Sequence, residues 1–179
     1  YSASPIVKIA VSAPPCGHCR QFLNEFDSEG TLEMLIGDEP AVPMSVLLPR
    51  AFGPSDLKVT EPFYSDPPEP LVEDDLDEAA RRAALHSYVP YSGTRAGISV
   101  RTKTGKIFFG AALENAAYNP ALPPLQAAIV SAYAAGYHPD QIADVVLCQE
   151  EGGLINYEPQ LRDLALSLSE SVAFRTIYL

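Results

Sequence analysis

Residues 6–26 read IVKIAVSAPPCGHCRQFLNEF. Ile6 to Val11 is a short apolar run rich in β-branched residues, which predicts a buried strand. From Cys19 to Phe26 the apolar residues Phe22, Leu23 and Phe26 recur at helical spacing. Between the two stands Pro14-Pro15-Cys16-Gly17-His18-Cys19. Two thiolates at a strand-to-helix junction can bind one tetrahedral zinc, and the positive end of the helix lowers their pKa values. Pro15 stiffens the approach, so the sulfurs are placed before any metal arrives. A structural zinc knuckle, a redox pair and half of a catalytic metal site all share this spacing.

Outward from this junction, Thr31 to Ile36 predicts a second strand, so residues 1–60 read strand, helix, strand. Residues 61–75 are rich in proline and acidic side chains, as an exposed linker without a core is. From Leu76 the pattern changes. Asp77 to Ser87 predicts a helix that packs through Ala79, Ala80, Ala83 and Ala84. Ala96–Val100 and Lys106–Gly110 read as a hairpin around Thr104-Gly105. Leu125 to Ala135 is an alanine-rich buried helix that Gly136 ends, Asp144 to Cys148 an apolar strand, and Gln160 to Ser169 a final helix. This order predicts an α/β fold with helices packed on a sheet. The two halves echo each other: Ile6–Val11 and Ala143–Cys148 each lead through a loop into a helix. The second loop, Gln149 to Gly153, carries no metal ligand, which suggests a duplication with one metal site lost.

The 179 residues are 47% hydrophobic and 20% charged, a globular composition with enough length for a real core. No long apolar run is present, so a membrane span is excluded. Tyr1 to Pro15 lacks a basic start followed by an apolar stretch, so no signal peptide is expected. The chain does not start with Met, and we expect it to begin partway through a longer product. A net charge of −11 argues against a nucleic-acid partner, since Lys and Arg are scattered outside the hairpin turn at 101–106. A neutral small molecule suits that balance. Three cysteines do not make a disulfide framework, which points to a reducing compartment and a cytoplasmic location.

Further ligands for Cys16 and Cys19 are scarce. His18, on the first helical turn between them, points away from a shared metal. His86 at a helix end and His138 in a polar loop read as surface residues, and Cys148 as a buried hydrophobe. A redox pair would lack the usual aromatic neighbour.

Pro15-Cys16-Gly17-His18-Cys19-Arg20-Gln21-Phe22 resembles the P-C-x-x-C half of the zinc nucleoside deaminases, and most closely the long-chain, homodimeric cytidine deaminases. Leu48 to Leu57 (LPRAFGPSDL) is similar to a stretch that follows the first domain there. Tyr88-Val89-Pro90-Tyr91-Ser92 resembles the entry to a deaminase repeat. Glu114-Asn115-Ala116-Ala117-Tyr118-Asn119-Pro120, followed by Leu122 to Gln126, resembles the degenerate C-terminal repeat. These stretches span nearly the whole chain in the family's order.

The resemblance implies a three-layer sheet with helices on both faces. Residues 1–60 would be the C-terminal part of a catalytic domain, 61–75 a linker, and 76–179 a degenerate non-catalytic repeat. It implies Zn2+ as cofactor, Cys16 and Cys19 as metal ligands, and hydrolytic deamination of cytidine and deoxycytidine to uridine and deoxyuridine in pyrimidine salvage. The family's third ligand and catalytic glutamate lie in a His-Ala-Glu segment upstream of P-C-x-x-C. This sequence contains no His-x-Glu, so no catalytic residue is assigned within it, and the upstream segment of the same protein becomes an implied partner. In the second repeat the alignment puts Pro123 at the ligand position and Leu125 at the glutamate position, and neither can serve.

The resemblance also gives substrate contacts. The Pro14 carbonyl would accept from the amine, while Ala116 and Tyr118 would reach a neighbouring subunit's pyrimidine. Ala13 stands where some members have an aromatic residue. For Tyr118 the competing reading is a buried packing aromatic. For the whole chain the alternative is a non-catalytic pseudoenzyme or assembly module with a structural zinc. A polynucleotide deaminase is disfavoured by the acidic charge.

Overall fold

The computed structural model describes residues 5–27, 30–60, 75–169 and 171–179. All but the last residue of the expected linker, 61–75, lies outside them. The chain divides into two compact units, Tyr1–Pro67 with Asn115–Ala121, and Pro68–Glu114 with Leu122–Leu179. Among the described residues no helix is long and apolar enough to cross a membrane.

The first unit is built on β1 (Lys8–Val11), α1 (Gly17–Asn24), β2 (Glu33–Ile36), β3 (Val42–Pro43) and the single turn α2 (Met44–Leu47). Its sheet runs β1-β2-β3, with β1 parallel to β2 and β2 antiparallel to β3. Leu32, Met34 and Met44 form the core, against which Ile9, Val11, Leu23 and Leu47 pack. The predicted strand at Ile6–Val11 starts two residues later and is not buried. Val7 is 56% exposed and Lys8 pairs with Glu33 across the ladder at 3.0 Å. The physical reason is that, among the described residues, β1 pairs with β2 on one side only and lies at the sheet's edge.

The second unit holds α3 (Leu76–Leu85), β4 (Ala96–Thr102), β5 (Ile107–Ala111), α4 (Pro124–Ala134), β6 (Ile142–Gln149), α5 (Glu158–Leu168) and β7 (Ala173–Tyr178). Its sheet order is β5-β4-β6-β7. The β4–β5 hairpin and the β4–β6 pair are antiparallel, and β6–β7 is parallel. Alternation along β6 makes this a three-layer unit. Val145 and Leu147 enter one cluster with Leu125 and Ala128 of α4 and Leu161 and Ala165 of α5. Val146 and Cys148 enter the other, with Leu76, Ala80 and Ala84 of α3. The α/β expectation with helices on both faces of a sheet is met.

Two glycines let helix backbones lie directly on strands. A Cβ at Gly97 would sit 2.1 Å from the Ala84 nitrogen, and one at Gly110 would sit 2.4 Å from the Ala128 nitrogen. The helix expected over Asp77–Ser87 runs Leu76–Leu85, and all four predicted alanines are buried. Asp75 caps it, accepting from the Asp77 and Glu78 amides at 2.7 and 3.2 Å. Gly136 follows α4 in the left-handed region (φ 89°), as a helix-stopping glycine does. The sequence reading missed β7, β3 and α2.

The echo between the halves takes a definite form. Each unit contains a parallel β-α-β segment: β1-α1-β2 in the first and β6-α5-β7 in the second.

Candidate functional site

The turn from β1 into α1 puts Cys16 at the N-cap and Cys19 in the first turn. Both thiols are free and exposed, and their sulfurs are 3.4 Å apart. Two thiolates on one tetrahedral zinc stand about 3.8 Å apart, from Zn–S bonds of about 2.3 Å. The pair therefore fits half of such a site with a displacement of a few tenths of an ångström. The Cys19 backbone N–H, then the contact with the Cys19 thiol, holds the Cys16 thiol below its ordinary pKa. That direction favours a thiolate, the form a metal requires. His18, His86 and His138 are all exposed, and Cys148 is fully buried, its thiol pushed up by desolvation. Among the described residues no group of three or more His, Cys, Asp or Glu is arranged to hold a metal ion.

Polar side chains that the sequence reading passed over fix α1. Arg20 donates through Nε to the Pro15 carbonyl at 2.8 Å and through a terminal nitrogen to the Leu47 carbonyl at 2.8 Å. It thus ties the residue before Cys16 to the end of α2. Pro15 is buried, while Ala13 and Pro14 are exposed beside it. Gln21 and Asn24 both donate to the Phe52 carbonyl, at 2.6 and 3.3 Å, within the LPRAFGPSDL stretch. Gly53 donates its amide to Asp56 at 2.9 Å, closing that stretch into a short 3-10 turn.

The segment Asn115–Ala121 belongs to the same unit. Asn115 donates through its amide to the Gln21 carbonyl at 3.1 Å, and the Ala116 N–H donates to a Glu25 carboxylate oxygen at 2.9 Å. Glu25, Asn115 and Ala116 are each 1% exposed. The loop closes on itself through the Ala117 and Tyr118 amides, which donate to the Asn115 side chain and carbonyl at 3.0 and 2.8 Å. At its tip Tyr118 is 72% exposed, with φ at +60°. In this chain, then, Tyr118 is not the core aromatic of the competing reading. Ala116 is the covered residue and Tyr118 the projecting one. For Glu25 the only signal was an acidic residue at the end of an apolar-spaced helix.

In the second unit, the loop after β6 is built differently. The Gln149 side chain accepts from the Tyr157 amide at 3.0 Å and donates to the Asn156 side chain at 3.1 Å. Amide hydrogen bonds close this loop where thiols stand after β1. Leu125 is fully buried core.

Fold and site together define an α/β protein with a pair of free, exposed thiols at a helix N-terminus. Residues 44–162 match the model of the cytidine and deoxycytidylate deaminase zinc-binding region, and the chain belongs to that family. Cys16 and Cys19 stand before the matched residues. The chain is similar to the cytidine deaminase of Yersinia pestis (strain Pestoides F), 43% identical over 148 residues, 80% of this chain and 50% of that protein. The cytidine deaminase of Yersinia pseudotuberculosis serotype IB (strain PB1/+) is 42% identical over the same shares. The chain spans about half the length of these curated relatives. Among solved structures, the cytidine deaminase of Burkholderia pseudomallei is 33% identical with a TM-score of 0.46, over 54% of this chain and 76% of that one. That of Mycobacterium leprae is 27% identical with a TM-score of 0.49, over 60% and 89%.

Proposed function

We propose that this chain is part of a zinc-dependent cytidine deaminase that converts cytidine and deoxycytidine to the uridine nucleosides, as a homodimer, in pyrimidine salvage. The observation that carries the reading is the exposed Cys16–Cys19 pair, with sulfurs 3.4 Å apart at the start of α1, in a chain of this family. Free thiols suit a reducing, cytoplasmic setting. The division into a partial catalytic domain (1–60), a linker (61–75) and a degenerate repeat (76–179) belongs to the same proposal.

Cys16 and Cys19 would hold the zinc with a histidine from a segment upstream of Tyr1, and that segment would also bring the proton-carrying glutamate. When bound, zinc supplies the Lewis acidity that makes water a nucleophile at neutral pH. The residues present here bind and orient. Arg20 holds the Pro15 backbone, and with it the approach to Cys16, in one geometry. The Pro14 carbonyl would accept a hydrogen bond from the cytosine amine. Tyr118 would lay its ring on the pyrimidine of a neighbouring subunit, and Ala116, covered in this chain, would anchor the loop that carries it instead of touching substrate. In a dry site, such preset groups act without reorganisation during the reaction.

A second reading, a non-catalytic module, draws on the fact that the described residues hold no group of three or more metal donors around the thiol pair. The deciding experiment is turnover of cytidine by the full-length protein with zinc quantified on the same sample. Uridine production that disappears on chelation and returns with zinc supports the enzyme. Stoichiometric zinc without turnover supports the module.

A further inference from the structure

α1 carries thiols at its start and a buried carboxylate at its end, and the mechanism above uses only the first. Glu25 follows the last helical residue, 1% exposed, and the Ala116 N–H is aimed at it from 91 residues along the chain. A buried carboxylate is costly to desolvate, so it persists where it accepts strong hydrogen bonds. One of its partners here is the Ala116 amide, in the loop that presents Tyr118. Asn115 adds a second tie, one helical turn earlier on the same helix, through the Gln21 carbonyl. Short turns within the loop add to these two bonds, Pro120 is buried at its far end, and its tip stands in solvent. The helix that carries the paired thiols therefore also sets where the aromatic tip stands.

Resting on the deaminase reading, we infer that Glu25 is a positioning residue, which holds the Asn115–Ala121 loop on α1 and so fixes Tyr118 for contact with the pyrimidine. It touches no reacting atom. Its influence runs through the Ala116 amide.

The test uses the zinc-loaded full-length protein with three variants, Glu25→Ala, Glu25→Gln and Tyr118→Ala, and the double variant Glu25→Ala/Tyr118→Ala. Hydrogen exchange of the Ala116 amide reads the docking without reference to activity. In Glu25→Ala it should accelerate roughly ten- to hundredfold, as expected when a hydrogen bond to a charged group is lost. Glu25→Gln keeps an acceptor oxygen and the side-chain volume, and it should restore most of the protection. For cytidine, Glu25→Ala should raise KM about as much as Tyr118→Ala, with kcat and zinc content unchanged. The double variant should show no further rise, since both changes remove one contact.

An Ala116 amide still protected in Glu25→Ala would overturn the inference, as would a loss of zinc, which would make Glu25 a support of the whole helix. So would a KM that rises in Tyr118→Ala and not in Glu25→Ala. If Tyr118→Ala itself leaves KM unchanged, the substrate-contact reading has failed and this inference falls with it. The exchange data would then still report whether the loop is docked.

Discussion

Replacing Tyr118 by alanine and by glycine separates contact from scaffold. The ring is 72% exposed in the chain, so its truncation removes little buried area. Exposed substitutions of this kind shift stability by roughly 0.5 kcal/mol at most. The backbone adds a second term, because φ is +60°. A non-glycine residue held there costs about 1–2 kcal/mol, and alanine retains that cost. Glycine removes it and brings back roughly 0.5–1 kcal/mol of backbone entropy. Tyr118→Ala should therefore melt within a few degrees of the parent, and Tyr118→Gly at or slightly above it. A core aromatic would behave otherwise, losing about 3–5 kcal/mol on truncation. If the ring stacks on cytosine, binding should weaken by ~1–3 kcal/mol, a rise in KM of about 5- to 150-fold with zinc retained. The assay is KM, zinc content and melting temperature on one preparation of the full-length protein. An unchanged KM with a large fall in melting temperature would refute both the exposure argument and the substrate contact.

In the full-length protein, Cys16→Ala should lose zinc and turnover together, read by metal analysis and uridine release, because one thiolate fewer leaves too few ligands around an open position. The 179-residue chain alone should bind zinc weakly and release no uridine from cytidine, since the described residues hold only the thiol pair as a candidate metal half-site. Gly97→Ala should destabilise by about 3 kcal/mol or more in denaturant unfolding, because the new Cβ meets α3 backbone at 2.1 Å and a backbone cannot rotate aside. Asp75 has its pKa lowered, first by the Glu78 amide and then by the Asp77 amide. Its contribution is therefore present above the ordinary carboxyl range and is lost as pH falls through the depressed folded value. Asp75→Asn, which preserves the cap, should flatten that acid-side loss in melts taken from about pH 5 down to pH 2.

Periodicity carried the second unit well where one face of an element meets one core. The four alanines of α3 and the turn at Thr104-Gly105 were legible because each depends on its own residues. By contrast, β7 was not. Arg175 and Thr176 interrupt its apolar run, and it becomes a strand through pairing with β6 across α5. In the first unit, Ile6 and Val7 read as core, but pairing decides burial there, and among the described residues the strand lies at an edge. For the candidate site, the sequence supplied Cys16 and Cys19, the residues proposed to hold zinc, because their spacing is itself the signal. It could not supply Arg20, Gln21 or Glu25. Those act through backbone groups that are brought to them by folding, and a backbone carbonyl or amide has no letter of its own.

The membership of Asn115–Ala121 in the first unit has a consequence for how the protein is made. A ribosome delivers the chain from its N-terminus at about 5–20 residues per second. When Glu25 is added to the chain, the amide it binds is still 91 residues from being synthesised. The first unit therefore waits several seconds, with a carboxylate and the Gln21 carbonyl lacking their native partners from that loop, until Ala121 is made. Cutting the gene at the proline-rich stretch would make the delay permanent. The front fragment would be missing seven of its own residues, and the back fragment would carry them with nothing to hold.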